Sequence, residues 1–211
     1  MTNQLGVAYH FPCPIYLIEK PEFVESVSEV SEESLSKKRG NVDDIYPVLM
    51  SDNFYDDSRV APFAEFVGQT AWNILSEQGY AMDGYLVQFS EMWTQEHHKH
   101  SLMEQHIHGH GAQIVGFYFL EVPEGSSRVV FHDPRASKLP IDLPETDMTK
   151  ASIASKMINF EPKPGLLIFA NAWLAHSFTR HAAETPIKFV HFNLNVQMAQ
   201  QTCQHPAAEV V

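Results

Sequence analysis

The sequence predicts a mainly β domain with helices at its N-terminal end, in the form of a β-sandwich or jelly roll. Before Gly84 the apolar residues recur at helical spacing, whereas after Gly84 they alternate with polar residues over several segments. Turn sequences such as "PEGSS" and "KPG" separate several of these segments. Helices followed by five or six antiparallel strands favour a sheet-on-sheet domain with an N-terminal helical layer.

The chain length suits one domain, because 211 residues are enough for a full core and few for two. We assign an N-terminal arm and helical layer to 1–80, a β core to 81–197 and a C-terminal tail to 198–211. No segment reaches the roughly 18 uncharged apolar residues of a membrane span. The N-terminus also lacks the pattern of a secretion signal. We therefore expect a cytoplasmic protein that does not enter the membrane.

Charge and cysteine content narrow the set of partners. The formal net charge of −12 argues against nonspecific nucleic-acid binding, which depends on clustered Lys and Arg. The two cysteines, Cys13 and Cys203, lie near opposite ends of the chain and form no CxxC pair, which fits a reducing compartment. Apolar edge residues near the N-terminus could cap the sheet or pair with a second subunit, so a homodimer stays open.

The N-terminal part contains an extended segment and two helices. Residues 1–20 alternate loosely and hold two prolines, which suits an edge strand or an arm. Apolar residues at helical spacing in 21–45 predict a surface helix followed by a loop at Gly40. The segment 61–79 places its apolar residues on one helical face, with Gly79 as its C-terminal stop.

The C-terminal part contains the candidate strands and one long insertion. Six segments have the period-two pattern of strands: 85–93, 113–122, 127–133, 165–171, 174–178 and 187–196. Between them, 136–157 is polar and holds two prolines, so we interpret it as a long insertion or lid.

Histidines are concentrated just before one of these strands, since six of the twelve fall in 97–110. His106 and His108 are two residues apart, so on a strand they face the same way and can converge on one point. A mononuclear iron site of the facial-triad kind needs a third protein ligand. His176 is the candidate, because a histidine on an otherwise apolar strand face must be hydrogen-bonded or metal-bound. Taken alone, His176 could be a hydrogen-bonded core residue.

The last strand suggests an anion site. Lys188 shares a strand face with four apolar residues, where an unpaired ammonium is costly. A small-molecule carboxylate inside the barrel would offset that cost, or Lys188 could reach water from the end of the strand. We interpret His97, His98 and His100 as solvated residues of a polar loop.

The order of these motifs resembles a known family. A histidine motif opens a strand, the segment "GFYFLEVPEGSSRVVFHDPR" follows, a Pro-Gly strand pair ends in a histidine, and a basic residue lies twelve positions later. Over about 80–197 this resembles the 2-oxoglutarate- and Fe(II)-dependent oxygenases, most closely a prokaryotic and phage branch with an H-x-H motif.

The resemblance implies a double-stranded β-helix (jelly roll, cupin-like) that uses Fe(II), 2-oxoglutarate and O₂, with ascorbate as an auxiliary reductant. It implies a dioxygenase, expected to be a hydroxylase, that couples decarboxylation of 2-oxoglutarate to succinate with oxidation of an unidentified substrate. A protein side chain and a small metabolite are both open as substrates. The implied setting is the cytoplasm of a bacterium or a phage-infected host.

By motif position, the resemblance gives His106 as the proximal and His176 as the distal iron ligand. It gives Lys188 as the cation that pairs with the far carboxylate of 2-oxoglutarate. Tyr118, on the strand after the H-x-H motif, could add a hydroxyl to that carboxylate or simply pack in the core.

The motif departs from the well-studied families at one position, where they have Asp or Glu and this chain has His108. His108 could be the third ligand, Asp133 could supply a carboxylate instead, or the position could be vacant as in halogenating relatives. We favour His108 and keep Asp133 as the alternative third ligand. Asp133 could equally stabilise a turn before Pro134 and Arg135. A one-residue alignment shift would give a His108 and His110 pair.

Two other functions remain open at this point. A cupin-like three-histidine metalloenzyme that does not use 2-oxoglutarate would explain the H-x-H motif and leave Lys188 unexplained. A non-catalytic jelly-roll binding or structural module would bind metal for stability alone, and its site would be closed by four protein ligands.

Overall fold

The computed structural model consists of two antiparallel sheets that face each other, with two helices against the outer face of the larger sheet. It describes residues 6–40, 42–138, 140–141 and 143–199. The helices are α1 (Val24–Ser36) and α2 (Ala61–Glu77). The strands are β1 (Ile15–Glu19), β2 (Val48–Met50), β3 (Tyr85–His97), β4 (Met103–His106), β5 (Ala112–Glu121), β6 (Val129–His132), β7 (Met157–Asn159), β8 (Leu166–Asn171), β9 (His176–Phe178) and β10 (Ile187–Met198).

The sheet order is that of a jelly roll. The larger sheet runs β1-β8-β5-β10-β3-β2 and the smaller one runs β4-β9-β6-β7. From β3 to β10 the chain crosses repeatedly between the two sheets, as a double-stranded β-helix requires. The predicted fold class is confirmed, and β1 is an edge strand as the prolines before it predicted.

Both predicted helices are present. Their buried positions recur at helical spacing, with Val27, Val30 and Leu35 on α1 and Phe63 and Val67 among those on α2. The chain leaves α2 through Gly79, whose φ of 94° lies in the left-handed region that ends many helices.

The larger sheet is apolar on both faces. On β10, Val190 and Phe192 pack with α2 in one core. Phe189 packs between the two sheets with Phe117 and Phe178 in a second core. Since successive strand residues point to opposite faces, the alternation along β10 decides which side chains face the helices and which face the smaller sheet.

The strand β3 is longer than the sequence predicted. It continues to His97, because β10 begins at Ile187 and pairs with His97. The interpretation of His97 as a solvated loop residue is therefore wrong. Its ring is fully buried between the rings of Phe178 and Phe189, at centroid distances of 5.2 and 5.0 Å. His100 is exposed, as expected.

The insertion joins β6 to β7. The described part of the insertion contains one regular element, a 3-10 turn at Ala136–Lys138, where the insertion begins. The next strand, β7, begins at Met157. Its role as a lid stays a prediction. Among the described residues, no helix combines the length and apolarity needed to cross a bilayer. Cys203 and the tail beyond residue 199 lie outside the described residues.

Replacing His97 with Gln should make the protein less sensitive to acid. Burial lowers the pKa of the His97 imidazole to about 3 from an ordinary value of 6.5. Below pH 6.5 the unfolded chain therefore binds a proton at His97 that the folded chain does not. This contribution to the free energy of unfolding is complete above pH 6.5 and is lost as the pH falls toward 3, by up to about 1.4 kcal/mol per pH unit.

Urea unfolding of the wild type and H97Q at pH 7.5, 6.5 and 5.5 measures this effect. Below pH 6.5 the stability of H97Q should fall less steeply, by about one bound proton. Equal slopes in the two proteins would show that His97 is protonated in the folded state.

Candidate metal centre

Three histidines meet at one end of the smaller sheet. His106 ends β4 and pairs with His176 at the start of β9. His108 lies two residues beyond the end of β4, and its backbone N–H donates to the carbonyl of Ala172 at 3.1 Å. One nitrogen from each of the three imidazoles lies within 4.8 Å of the others, an arrangement that could hold a metal ion.

Backbone carbonyls set the orientation of two of these rings. Nδ1 of His106 lies 2.8 Å from the carbonyl oxygen of Glu104, and Nδ1 of His176 lies 3.1 Å from that of Leu174. A carbonyl can only accept, so each Nδ1 carries the hydrogen and each Nε2 keeps a free lone pair. Histidines that bind metals are usually held in this way.

A fourth imidazole, His191 on β10, adjoins the three. Its Nδ1 donates to the carbonyl oxygen of Gly116 at 2.8 Å. Its Nε2 lies 3.2 Å from Nε2 of His108, which itself lies 3.3 Å from Nε2 of His176. The sequence interpretation did not assign His191 to the site. The sequence did contain a signal for this position. His191 and Asn193 are polar side chains that share one face of a strand that is otherwise mostly apolar.

Aromatic rings and a glycine fix His191. Its ring stacks on Phe117 at 4.5 Å and meets Trp93 edge-on at 4.6 Å. A Cβ atom on Gly116 would lie 2.1 Å from Cζ of Phe192, so only glycine fits at this position. The carbonyl that orients His191 therefore belongs to a residue held between two packed layers.

The buried imidazoles are neutral at pH 7. Burial, together with the neighbouring His106, lowers the pKa of His108 to about 4 and that of His176 to about 3. Burial also lowers the pKa of His191. Glu91 acts in the opposite direction on the pKa of His108, which places a carboxylate near the site. Neutral imidazole is the form that coordinates metal ions.

Asp133 does not join the histidines. Its carboxylate accepts from Nε and Nη2 of Arg135 at 2.8 and 2.7 Å, and from Nζ of Lys138 at 2.7 Å. These partners hold the pKa of Asp133 well below its usual range. Within the part of the chain that the structure describes, Asp133 lies outside the metal-binding group, and so does His110, which is exposed. Asp133 instead stabilises the turn at Arg135, the alternative that the sequence left open.

Lys188 points away from the histidines. Its Nζ donates to Glu121 at 3.0 Å and to Glu32 at 3.1 Å, and lies 3.6 Å from the buried carboxylate of Glu96. Burial disfavours its charge, but these carboxylates outweigh burial and raise the pKa of Lys188. The strand face predicted for Lys188 is correct, whereas the expectation that this face lines the barrel is wrong, because it packs beneath the helices. The carboxylates that pair with Lys188 come from the chain itself.

Tyr118 lies on the same helical side of the sheet. Its hydroxyl donates to the carbonyl oxygen of Lys20 at 2.6 Å, and its ring packs against Phe63 at 4.7 Å. Burial raises the pKa of the hydroxyl. Tyr118 pairs with Val190 across the sheet, so it faces away from His191, and the structure favours the core-packing alternative.

Comparison with known proteins places this geometry in a family. Residues 91–193, which include all four histidines, match a family model described as "Putative 2OG-Fe(II) oxygenase". This part of the chain is similar to the 2-oxoglutarate- and Fe(II)-dependent oxygenases. No curated protein matches the sequence.

Solved structures show the same fold at low sequence identity. A Pseudomonas putida prolyl-4-hydroxylase superposes with a TM-score of 0.58 at 6% identity, covering 87% of this chain and 93% of that one. AviO1 from Streptomyces viridochromogenes Tue57 gives 0.60 at 12% identity, covering 92% of each chain. HygX from Streptomyces hygroscopicus, solved with nickel and 2-oxoglutarate bound, gives 0.53 at 14% identity, covering 87% of this chain and 83% of that one.

The donor atoms at the site fit the iron that the oxygenase family uses. Imidazole nitrogens suit Fe(II), and the Nε2 lone pairs of His106 and His176 are free to bind it. The third side chain of the group that could hold a metal ion is His108, at the position where the resemblance implies a carboxylate. The three histidines therefore fit Fe(II), the metal of the oxygenases that this part of the chain resembles.

Replacing Lys188 with Met should cost stability and spare co-substrate binding. The substitution leaves the buried Glu96 carboxylate without its ammonium neighbour, so the free energy of unfolding should fall by about 2 kcal/mol. Because Lys188 faces the helices, the affinity for 2-oxoglutarate should stay within about twofold of the wild type.

The matched control is Lys163→Met, which breaks the exposed pair of Lys163 with Glu19 and should cost less than about 0.5 kcal/mol. Urea unfolding and calorimetric titration with 2-oxoglutarate measure the two quantities. A large loss of 2-oxoglutarate affinity in K188M, with unchanged stability, would show that Lys188 takes part in binding the co-substrate.

Proposed function

We propose that this protein is a 2-oxoglutarate- and Fe(II)-dependent oxygenase, and specifically a hydroxylase that couples the decarboxylation of 2-oxoglutarate to succinate with hydroxylation of an unidentified substrate. The observation that carries the proposal is the convergence of His106, His108 and His176 at one end of a jelly roll from this family. In the proposal these three side chains hold Fe(II), with His108 at the position that a carboxylate usually occupies.

The chain's own residues position and protect the reacting groups. When bound, iron(II) and 2-oxoglutarate supply the oxidising chemistry, by which one atom of O₂ enters succinate and the other enters a C–H bond of the substrate. The carbonyls of Glu104 and Leu174 hold two ligand rings in place. Phe117 and Phe131, with ring centroids 5.2 and 6.0 Å from that of His176, form an apolar wall that excludes water.

A cleft beside this wall is the proposed binding site for the substrate. It encloses about 310 Å³ and is lined by the N-terminal arm, the turn after β6, and Ser152 and Ile153 of the insertion. Phe131 lines the cleft and also packs against His176, so the cleft reaches the histidines through one side chain. This volume suits a small metabolite or one side chain of a protein.

A second candidate function is a histidine-ligated metalloenzyme of the same fold that does not use 2-oxoglutarate. The observation in its favour is the position of Lys188, whose ammonium is paired with glutamates on the far side of the sheet. In the sequence, Lys188 was the residue that favoured a 2-oxoglutarate-dependent enzyme over one that does not use 2-oxoglutarate. Its position in the structure removes that argument, so a direct binding experiment must distinguish the two functions.

Anaerobic titration of the Fe(II)-loaded protein with 2-oxoglutarate is that experiment. A keto acid that chelates iron should give a weak visible charge-transfer band, and admission of O₂ should then produce succinate. Iron binding without this band would favour the second candidate. Absence of iron binding would reduce the histidines to a structural role.

His176→Ala should abolish iron-dependent succinate formation, because it removes a buried ligand nitrogen that no other described side chain can supply from the same strand. The matched control is His110→Asn. His110 is exposed and has a φ of 53°, a backbone conformation that Asn adopts readily, so H110N should keep wild-type activity. Circular dichroism checks that H176A is folded. Succinate formation by H176A at the wild-type rate would exclude this histidine as a ligand.

A further inference from the structure

The cleft beside the metal centre is richer in positive charge than the rest of the chain. The charged side chains that line it are one carboxylate, Asp133, and two cations, Arg135 and Lys156. The whole chain, in contrast, has a formal net charge of −12. His132 also lines the cleft, but burial lowers the pKa of its imidazole, so this side chain adds no charge at pH 7.

The carboxylate of Asp133 is already paired with cations of the chain. It is 6% exposed and accepts from Nε and Nη2 of Arg135 at 2.8 and 2.7 Å, and from Nζ of Lys138 at 2.7 Å. Because two cations face this one carboxylate, Asp133 does not oppose the binding of an anion in the cleft.

Lys156 lies on the insertion and has no such partner. Its carbonyl oxygen accepts from the backbone N–H of Asp133 at 2.9 Å, and the carbonyl oxygen of Ser155 accepts from Nζ of Lys138 at 2.7 Å. These bonds hold the end of the insertion against the turn after β6, where Lys156 borders the cleft. Glu145 accepts from the hydroxyl of Ser155 at 2.9 Å. No carboxylate of the described residues forms an ion pair with the half-buried Lys156.

Much of the remaining wall of the cleft is apolar. Phe131 and Leu174 form its side toward the metal centre, because the Phe131 ring lies 6.0 Å from that of His176 and the Leu174 carbonyl accepts from Nδ1 of His176. Tyr9 and Phe11 of the N-terminal arm also line the cleft, and they are 76% and 94% exposed. Large exposed aromatic side chains beside a pocket are typical of a site that binds an apolar group.

We propose that the cleft binds a small carboxylic acid with an apolar body, and that Lys156 pairs with its carboxylate. The body then lies against Phe131 and Leu174, which brings its C–H bonds to the side of His176. A carboxylate suits the site better than a phosphate monoester, because one unpaired ammonium balances a single negative charge. That this acid is the molecule hydroxylated rests on the proposed function, whereas the selectivity of binding does not.

The test compares three ligands that share one body and differ in charge: 3-phenylpropionate, 3-phenylpropanamide and 3-phenylpropylamine. Each is titrated into the metal-free protein at neutral pH, and binding is followed by the NMR shifts of the backbone amides. The acid should bind about tenfold more tightly than the amide, as expected for one charge-assisted hydrogen bond, and the amine should bind most weakly. The shifts should fall on residues of the cleft.

Variants of Lys156 test the role of its ammonium. Lys156→Met should lower the affinity for the acid to that for the amide and leave the affinity for the amide within about twofold. Lys156→Arg should keep the preference for the acid. The matched control is Lys150→Met, which removes an exposed ammonium of the same insertion that is paired with Asp147, and it should leave all three affinities unchanged.

Three results with the wild type would overturn the proposal: equal affinities for the acid and the amide, tighter binding of the amine, or shifts outside the cleft. Failure of all three ligands to bind at millimolar concentration would overturn it as well. Retention of the preference for the acid in K156M would exclude Lys156 as the partner of the carboxylate.

Failure of this inference is distinct from failure of the proposed function. The charge-transfer titration with 2-oxoglutarate should give K156M an affinity within about twofold of the wild type, and a large loss would assign the cleft to the co-substrate and overturn the proposal. Selective binding of the acid without a wild-type band would leave the selectivity standing without the oxygenase function. A band without selectivity would leave that function standing without this substrate class.

Discussion

The fold and the site both depend on the register of β10 between β3 and β5. This strand is covered on both faces, so Phe189 and His191 point between the sheets while Lys188 and Val190 point toward the helices. A slip of one residue would exchange the two sets, placing an ammonium among the imidazoles and a histidine beneath α2. The two apolar cores on opposite faces of β10 therefore fix its register, because neither core can accommodate the side chains of the other face. The register in turn places His191 beside the candidate metal centre.

Local patterns predicted most of the elements, and long-range packing decided what they missed. Helical spacing identified α1 and α2, and the H-x-H motif with His176 identified three histidines that the structure brings together. The interior face of β10 was misassigned, because the more apolar face of the strand, which includes Val190 and Phe192, is covered by the helices and does not line the barrel. The partners of Lys188 could not be recognised either, because Glu121 and Glu32 lie 67 and 156 residues away in sequence. His97 was wrongly predicted to lie in a solvated loop, because its local sequence is polar. The segment is a strand since it pairs with β10, which is far away in sequence.

If His108 takes the place of a carboxylate, as proposed above, the metal centre has a different net charge. A site of two histidines and one carboxylate leaves a divalent ion with a net charge of about +1, whereas neutral imidazoles leave it with the full charge of about +2. Negative charge then has to come from groups that are not ligands, and Glu91 is placed to contribute, as its effect on the pKa of His108 shows. A dianionic keto acid would be attracted more strongly to such an ion, which offers one way to bind it without a lysine beside the metal.

Gly116 connects the two layers through a single peptide unit. On one side its Cα leaves just enough room for the Phe192 ring of the helical core, and on the other its carbonyl accepts from Nδ1 of His191. A change of side-chain volume beneath α2 would therefore move the carbonyl that aims an imidazole on the far face of the sheet. Packing beneath α2 therefore helps to set the orientation of His191, which lies on the opposite face of the sheet beside the candidate metal centre.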